Sequence, residues 1–168
     1  MQYSLHVQTR IGDWPIVKEF EDLGYDACWF PDTQMMWSDC YATMAAAALN
    51  TSRIRLGTGV AIPGTRIAPT TAHSIASINV LAPGRVFLGI GTGHTAMRVM
   101  GQDPMPIKAF REYLRVVRAM LNGEEVEYEY AGKTTAIKWQ DHGTGFRNTA
   151  DPVPIYVAGN GPLALKTA

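Results

Sequence analysis

The stretch Leu81-Ala-Pro-Gly-Arg-Val-Phe-Leu-Gly-Ile-Gly-Thr-Gly-His94 restricts the fold more than any other part of the chain. Pro83-Gly84 marks a turn, because proline presets φ and glycine completes the bend at positive φ. Val86 to Ile90 then runs apolar with little alternation, the pattern of a short strand covered on both faces. Gly89, Gly91 and Gly93 strip side chains from the end of that strand, so a ligand can approach bare backbone. A helix is expected about a dozen residues further on. In a chain of alternating strands and helices this place is the carboxyl end of a parallel strand, where such folds put their chemistry.

The alternation runs through the rest of the sequence. Ser4 to Thr9 reads as a first strand. Gly12-Asp13-Trp14-Pro15 starts a helix with Asp13 as N-cap, Ile16, Val17, Phe20 and Leu23 as its apolar face and Gly24 as its stop. Asp26 to Phe30 is the second strand, Ser38 or Asp39 caps a helix from Tyr41 to Leu49, and Arg53 to Ala61 is the third strand. A third helix spans about Pro69 to Leu81. Lys108 to Leu121 is the clearest helix, with Phe110, Tyr113, Leu114, Val117 and Leu121 on one face and Arg111, Glu112, Arg115 and Arg118 on the other. Residues 124–139 break the pattern. Val126, Tyr128 and Tyr130 alternate with glutamates before Ala131-Gly132, which predicts a solvent-facing hairpin inserted in a domain spanning residues 1–168. Val153 to Ala158 is a fifth strand, and Pro162 opens a helix still unfinished at Ala168.

Parallel strands need crossovers, and helices supply them, so the class is α/β. Two architectures fit: an open doubly wound sheet and a (β/α) barrel. A barrel of the usual kind needs eight strands and roughly 250 residues, so five strands would be a fragment of one. Such a fragment leaves sheet edges and helix faces uncovered, and alone it is expected to aggregate or dimerise.

Composition excludes several partners. Lys and Arg number 15 and Asp and Glu number 15, which gives no electrostatic case for nucleic acid or an anionic membrane. No apolar run approaches the roughly 20 residues of a membrane helix, and the N-terminus shows no basic region leading into an apolar one. Cys28 and Cys40 lack CxxC spacing, which fits reduced thiols and a cytoplasmic protein. No histidines or cysteines stand at metal-ligand spacing, so no metal site is expected. No serine lies in a G-x-S-x-G elbow.

In a parallel sheet the loops at Thr9-Arg10, Asp32-Thr33, Gly59-Val60, Gly93-His94 and Gly159-Asn160 all face one end. Gly91-Thr92-Gly93 fails the dinucleotide fingerprint, because Thr95 and Ala96 follow where glycine is required. Gly159-Asn160-Gly161 before a helix suits either a phosphate or a tight strand-to-helix connection. Asp32 reads as a ligand acceptor or base, or as a loop cap. His94 is the histidine best placed for proton transfer near neutral pH. His6 and His73 read as structural, and His142 as part of an exposed loop. Met35-Met36-Trp37 is either the wall of an apolar pocket or a packed lid.

Taken together, Ala27-Cys-Trp-Phe-Pro-Asp32, Ile54-Arg-Leu-Gly-Thr-Gly-Val60, the segment from Pro63 to Pro69 with Arg66, Ala82 to Gly93, Phe110-Arg-Glu-Tyr-Leu114, and Pro154 to Ala158 with Gly161-Pro162 form an ordered set. That set resembles the luciferase-like family of flavin or deazaflavin oxidoreductases across essentially the whole chain. The resemblance implies a (β/α)₈ TIM barrel of which this chain holds the N-terminal part, about five β/α units. It implies FMN or a deazaflavin (coenzyme F420) as cofactor, a small organic substrate, and either a monooxygenase or a hydride-transfer reductase or dehydrogenase. A separate flavin reductase and a homodimer are the partners it suggests.

The resemblance also implies roles: a non-proline cis peptide at Gly59-Val60 against the ring, ring or substrate contacts from Asp32 and Thr33, and Thr92, Gly93 and His94 along the ribityl side. Gly159, Asn160 and Gly161 match a phosphate loop. Asp32 and His94 are the catalytic candidates. Several deazaflavin dehydrogenases of the family carry Asp-His where this chain has Asp32-Thr33, and an acid where it has His94. A sugar-phosphate dehydrogenase working through that pair is therefore not expected, and the pattern leans toward the deazaflavin or methylenetetrahydromethanopterin-reductase-like side, with FMN close behind. A non-catalytic flavin- or partner-binding protein on the same fold, and an inactive fragment, are the alternatives.

Overall fold

The computed structural model describes residues 1–141 and 143–168, so the expectation for His142 lies outside the described residues. Among the described residues there are seven strands: β1 (Ser4–His6), β2 (Ala27–Phe30), β3 (Arg55–Ala61), β4 (Val86–Ile90), β5 (Val126–Tyr130), β6 (Lys133–Ile137) and β7 (Ile155–Val157). Six α-helices accompany them among those residues: α1 (Trp14–Asp22), α2 (Cys40–Asn50), α3 (Ala68–Leu81), α4 (His94–Val99), α5 (Ile107–Leu121) and α6 (Pro162–Thr167). Strands β1, β2, β3, β4 and β7 form one parallel sheet in that order, and β5 and β6 form a separate antiparallel pair. A doubly wound sheet reverses its strand order at a switch point. This sheet never reverses; it is wound as a barrel wall.

The sheet's two faces differ. Cys28, Phe30, Leu56, Val86, Leu88 and Ile90 join the core formed with Met44 of α2, Ile75 of α3 and Phe110 and Val117 of α5. All five residues of β4 are buried, as an apolar run without alternation predicts. The inner face carries aromatic rings, with centroids 4.4 Å apart for Trp29 and Phe87 and 5.5 Å apart for Phe87 and Tyr156.

At the amino end of the strands, ionic side chains satisfy backbone. Glu21 is 6% exposed, and its carboxylate accepts the N–H groups of Ser52, Arg53 and Ile54 at 3.0, 2.7 and 2.8 Å. The Arg85 guanidinium donates to the carbonyls of Ala48, Thr51 and Ile54 and to Thr51 Oγ1, at 3.0 to 3.3 Å. Asn79 reaches the carbonyls of Asn148 and Asp151 at 3.2 and 2.9 Å, pinning the polar loop that leads to β7.

Local sequence signals explain most element ends. The Asp39 carboxylate accepts Ala42 N–H at 2.9 Å and caps α2. Gly24 follows α1 at φ +91, the left-handed stop expected there. Ala131 and Gly132, at φ 53 and 78, make the two-residue hairpin turn between β5 and β6. The pair rests against α5 through Val126 and through Arg115 donating to Glu127 O at 2.6 Å, and just beyond β6 Trp139 Nε1 donates to Met120 O at 2.8 Å.

Two expectations are corrected. Asp13 stands at the N-cap of α1 but makes no side-chain cap bond, because a 3-10 turn over Ile11–Asp13 precedes the helix. Val17 and Glu21 are the buried residues of α1, while Ile16 and Leu23 are 41% and 75% exposed. The bonds of Glu21 to residues 52–54 fix the helix phase, and an apolar count does not see them. The helix expected about a dozen residues after the glycines is α5, and a short helix that the sequence did not announce, α4, comes before it, beginning directly at His94.

Candidate active site

The carboxyl ends of β2, β3, β4 and β7 enclose a cleft of about 660 Å³. Asp32 and Thr33 enter it from the end of β2, Gly59 and Val60 from β3, and Thr92, Gly93 and His94 from the end of β4. Gly159, Asn160 and Gly161 close it from the end of β7. The structure therefore gathers all ten of these residues, drawn from four separated stretches, around one space. Thr9, Arg10, Met35, Met36 and Trp37 are not part of the lining. Met35 and Met36 are exposed, and Thr9 is buried with its hydroxyl donating to Pro31 O at 3.0 Å.

The wall from β3 is irregular. Thr58 pairs with Leu88 and Ala61 with Ile90, so one more residue lies between the pairs on β3 than on β4. Gly59 and Val60 occupy that slip, and the peptide bond between them is cis, as the family resemblance implies. Gly93, at φ +92, ends the glycine loop and stands at the N-cap of α4. Met97 of α4 packs with Ile62 and Ala96 in a small satellite cluster beside the cleft. His94 is the first residue of α4 and is exposed. Among the described residues no hydrogen-bond partner engages its ring, so the ring is free to meet a ligand.

Asp32 is held far more tightly. It is 4% exposed, and one carboxylate oxygen accepts Ile62 N–H at 3.2 Å. The other accepts Gln34 Nε2 at 2.6 Å and lies 3.6 Å from Arg66 Nη1. Burial raises its pKa above the usual carboxylate value, while Arg66 and the Ile62 N–H oppose that rise. Arg66 also pairs with Asp39 at 2.6 Å and stacks 4.3 Å over the Tyr41 ring. The Tyr113 hydroxyl donates to Arg66 O at 3.0 Å and shares a 2.6 Å hydrogen bond with Thr71, and burial pushes its pKa up to about 12. Sequence reasoning missed Gln34 and Ile62 as partners of Asp32. Arg66 was visible only as part of a matching segment.

At the β7 end, Gly159 lies under the first turn of α6, where an added Cβ would sit 2.9 Å from Ala164 Cβ. Helix folding over strand end explains that glycine, whereas a Cβ added at Gly161 would meet nothing within 4 Å. Ile62, Ala96, Met105 and Ile107 supply an apolar side to the cleft. Cys28 and Cys40 are buried free thiols, and burial pushes Cys28 up to about 12. Among the described residues no three His, Cys, Asp or Glu side chains are grouped to hold a metal ion, and no helix is long and apolar enough to cross a membrane. Bare backbone on three sides, an apolar wall and one unengaged imidazole fit a flat, partly apolar ring system better than a small polar ligand.

Parallel strands in sequential order, with a cleft at their carboxyl ends, define a protein of the (β/α)-barrel type. The chain belongs to the luciferase-like monooxygenase family, whose model matches residues 15–168. It is 37% identical over 150 residues to the 5,10-methylenetetrahydromethanopterin reductase of Methanolobus tindarius, which covers 88% of this chain and 44% of that protein. It is 35% identical over 174 residues to the F420-dependent glucose-6-phosphate dehydrogenase of Kineococcus radiotolerans, covering 95% and 49%. Its fold matches the coenzyme F420-dependent tetrahydromethanopterin reductase from Methanopyrus kandleri with a TM-score of 0.76 at 26% identity, over 99% of this chain and 52% of that one. The chain spans about half the length of the curated relatives it matches.

Proposed function

We propose that this chain forms the cofactor-holding part of a cytoplasmic deazaflavin-dependent oxidoreductase that transfers hydride to or from a small organic substrate. The convergence of Gly59-Val60, Thr92-Gly93-His94 and Gly159-Asn160-Gly161 on one cleft carries this reading. Relatives named as reductases and dehydrogenases that use F420 support the choice of cofactor. When bound, that cofactor supplies the hydride chemistry, and the protein supplies position, shielding and proton control.

In this reading Gly59 and Val60 form the support for the ring, and Thr33, Thr92 and Gly93 border it. Gly159, Asn160 and Gly161 take the phosphate side. His94 meets the reacting end and holds or delivers a proton through its exposed ring. Asp32 is the second polar contact, oriented by Arg66, Gln34 and the Ile62 N–H. Dimerisation of the whole protein belongs to the same proposal.

The deciding experiment titrates the full chain with F420 and with FMN, followed by fluorescence. Tight F420 binding without FMN binding is expected. Tight FMN binding instead moves the reading to a monooxygenase served by a separate flavin reductase. Binding of neither by a folded protein overturns the redox assignment and leaves a non-catalytic member of the fold.

A further inference from the structure

His6 has no place in the roles above, yet it touches the cofactor wall. Its Nε2 lies 2.6 Å from Gly59 O, across a sequence separation of 53 residues. A carbonyl oxygen only accepts, so Nε2 must carry the proton and donate. The acceptor is one the sheet has released. Pairing of β3 with β2 ends at Thr58, and pairing with β4 resumes only at Ala61, so no strand register includes Gly59. The imidazole takes up the oxygen that the slip leaves behind.

The packing is specific to this pair of residues. His6 is in register with Trp29 on the neighbouring strand. A Cβ on Gly59 would stand 2.8 Å from Trp29 Cβ and 3.2 Å from His6 Cδ2. Glycine at 59 therefore makes room for the histidine and tryptophan, and the same glycine lines the cleft. Glycine also brings conformational freedom, so a wall segment built on it needs an external tether.

We propose that His6 is a positioning residue: by donating Nε2–H to Gly59 O it fixes the Gly59-Val60 segment that forms one wall of the cofactor cleft. This rests on the cofactor reading given above. His6 acts through Gly59, not by contact with the reacting atoms. An inner-face histidine at the first strand thereby sets how firmly the third strand meets a ring.

The test compares wild type, His6→Met and His6→Gln in the full chain, with F420 and FMN as probes. Glutamine keeps an N–H donor at similar reach, and methionine matches its length without one. With thermal midpoints alike, His6→Met is expected to weaken cofactor binding about tenfold and to change the visible circular dichroism of the bound ring, while His6→Gln recovers most of both. Equal affinity and an unchanged spectrum in His6→Met overturn the proposal while leaving the cofactor reading in place. Failure of the wild type to bind either probe overturns the cofactor reading, and this proposal with it. Nitrogen shifts of the His6 ring give an answer independent of variant folding: a proton on Nε2 supports the tether, and a neutral ring protonated only on Nδ1 overturns it.

Discussion

The two ends of the parallel sheet use their side chains in opposite ways. At the amino end, Glu21 and Arg85 spend their charges on backbone: three N–H groups meet one carboxylate, and three carbonyls meet one guanidinium. At the carboxyl end, glycines leave backbone bare and His94 leaves a ring unengaged around the cleft. One end is closed upon itself, and the other is left with bonding capacity for something else. A parallel (β/α) sheet separates stability from chemistry in this manner, because loops at one end can vary without disturbing the crossovers below.

Substitutions can break or sharpen that contrast. The largest loss of stability is expected from Gly89→Ala, just below the cleft, where the new Cβ would stand 2.2 Å from the Thr58 carbonyl oxygen. Backbone cannot yield as a side-chain tip can, and a cost of about 3 kcal/mol in urea unfolding is expected. A tolerated alanine would show that the carboxyl end is not shaped by close strand approach. Arg85→Met comes next, at about 2 kcal/mol, since it strips donors from three carbonyls at the closed end. Its F420 affinity should match the wild type; a parallel loss of affinity would mean the ends are coupled.

Glu21→Gln should cost about 1 kcal/mol at neutral pH, and here the sign of the pH dependence divides the ends. Burial favours a raised pKa for Glu21, but the N–H groups of Ile54, Arg53 and Ser52 outweigh it and hold the carboxyl below its usual value of 4.5. Its contribution is therefore present above that pH and is lost as pH falls through the folded value. Asp32 is shifted upward from 3.8, so its contribution is present below that pH and is lost as pH rises through the folded value. Thermal melts from acid to neutral pH should show the difference between wild type and Glu21→Gln growing, and that between wild type and Asp32→Asn moving the other way. Shifts of the same sign would remove the electrostatic distinction. The smallest effect on stability, within about 0.5 kcal/mol, belongs to exposed His94→Ala. Turnover should nevertheless fall about a hundredfold with little change in cofactor affinity, and unchanged turnover would remove His94 from the chemistry.

The contrast also explains what was legible in the sequence. Strand β4 coincides with its apolar run because burial on both faces requires five such residues together. The cleft was legible because glycine at a strand end is a local signal, and several such ends meet once the strands lie parallel. By comparison, α4 gave little notice: it has six residues, no capping side chain, and a left-handed glycine where a cap signal would be sought. Glu21 was unreadable as a buried residue because its partners lie 31 to 33 positions away. The restraint on Asp32 was hidden for the same reason, since Ile62 and Arg66 belong to the loop after β3. Residue type foretells what backbone must do nearby; it does not tell which distant group will satisfy a charge.

The unbroken strand order has a consequence for how the molecule is made. From β1 to β4, each strand emerging from the ribosome finds its neighbour already synthesised, one crossover behind it. The fifth strand of the sheet lacks that advantage. Before Ile155 can dock beside Leu88, the chain must complete α4, α5 and the β5–β6 hairpin, leaving the flank of β4 open throughout that interval. Closure entropy rises only slowly with loop length, so the delay lies in waiting time and not in equilibrium cost. That waiting edge is where a nascent chain of this kind is most vulnerable to pairing with the wrong strand.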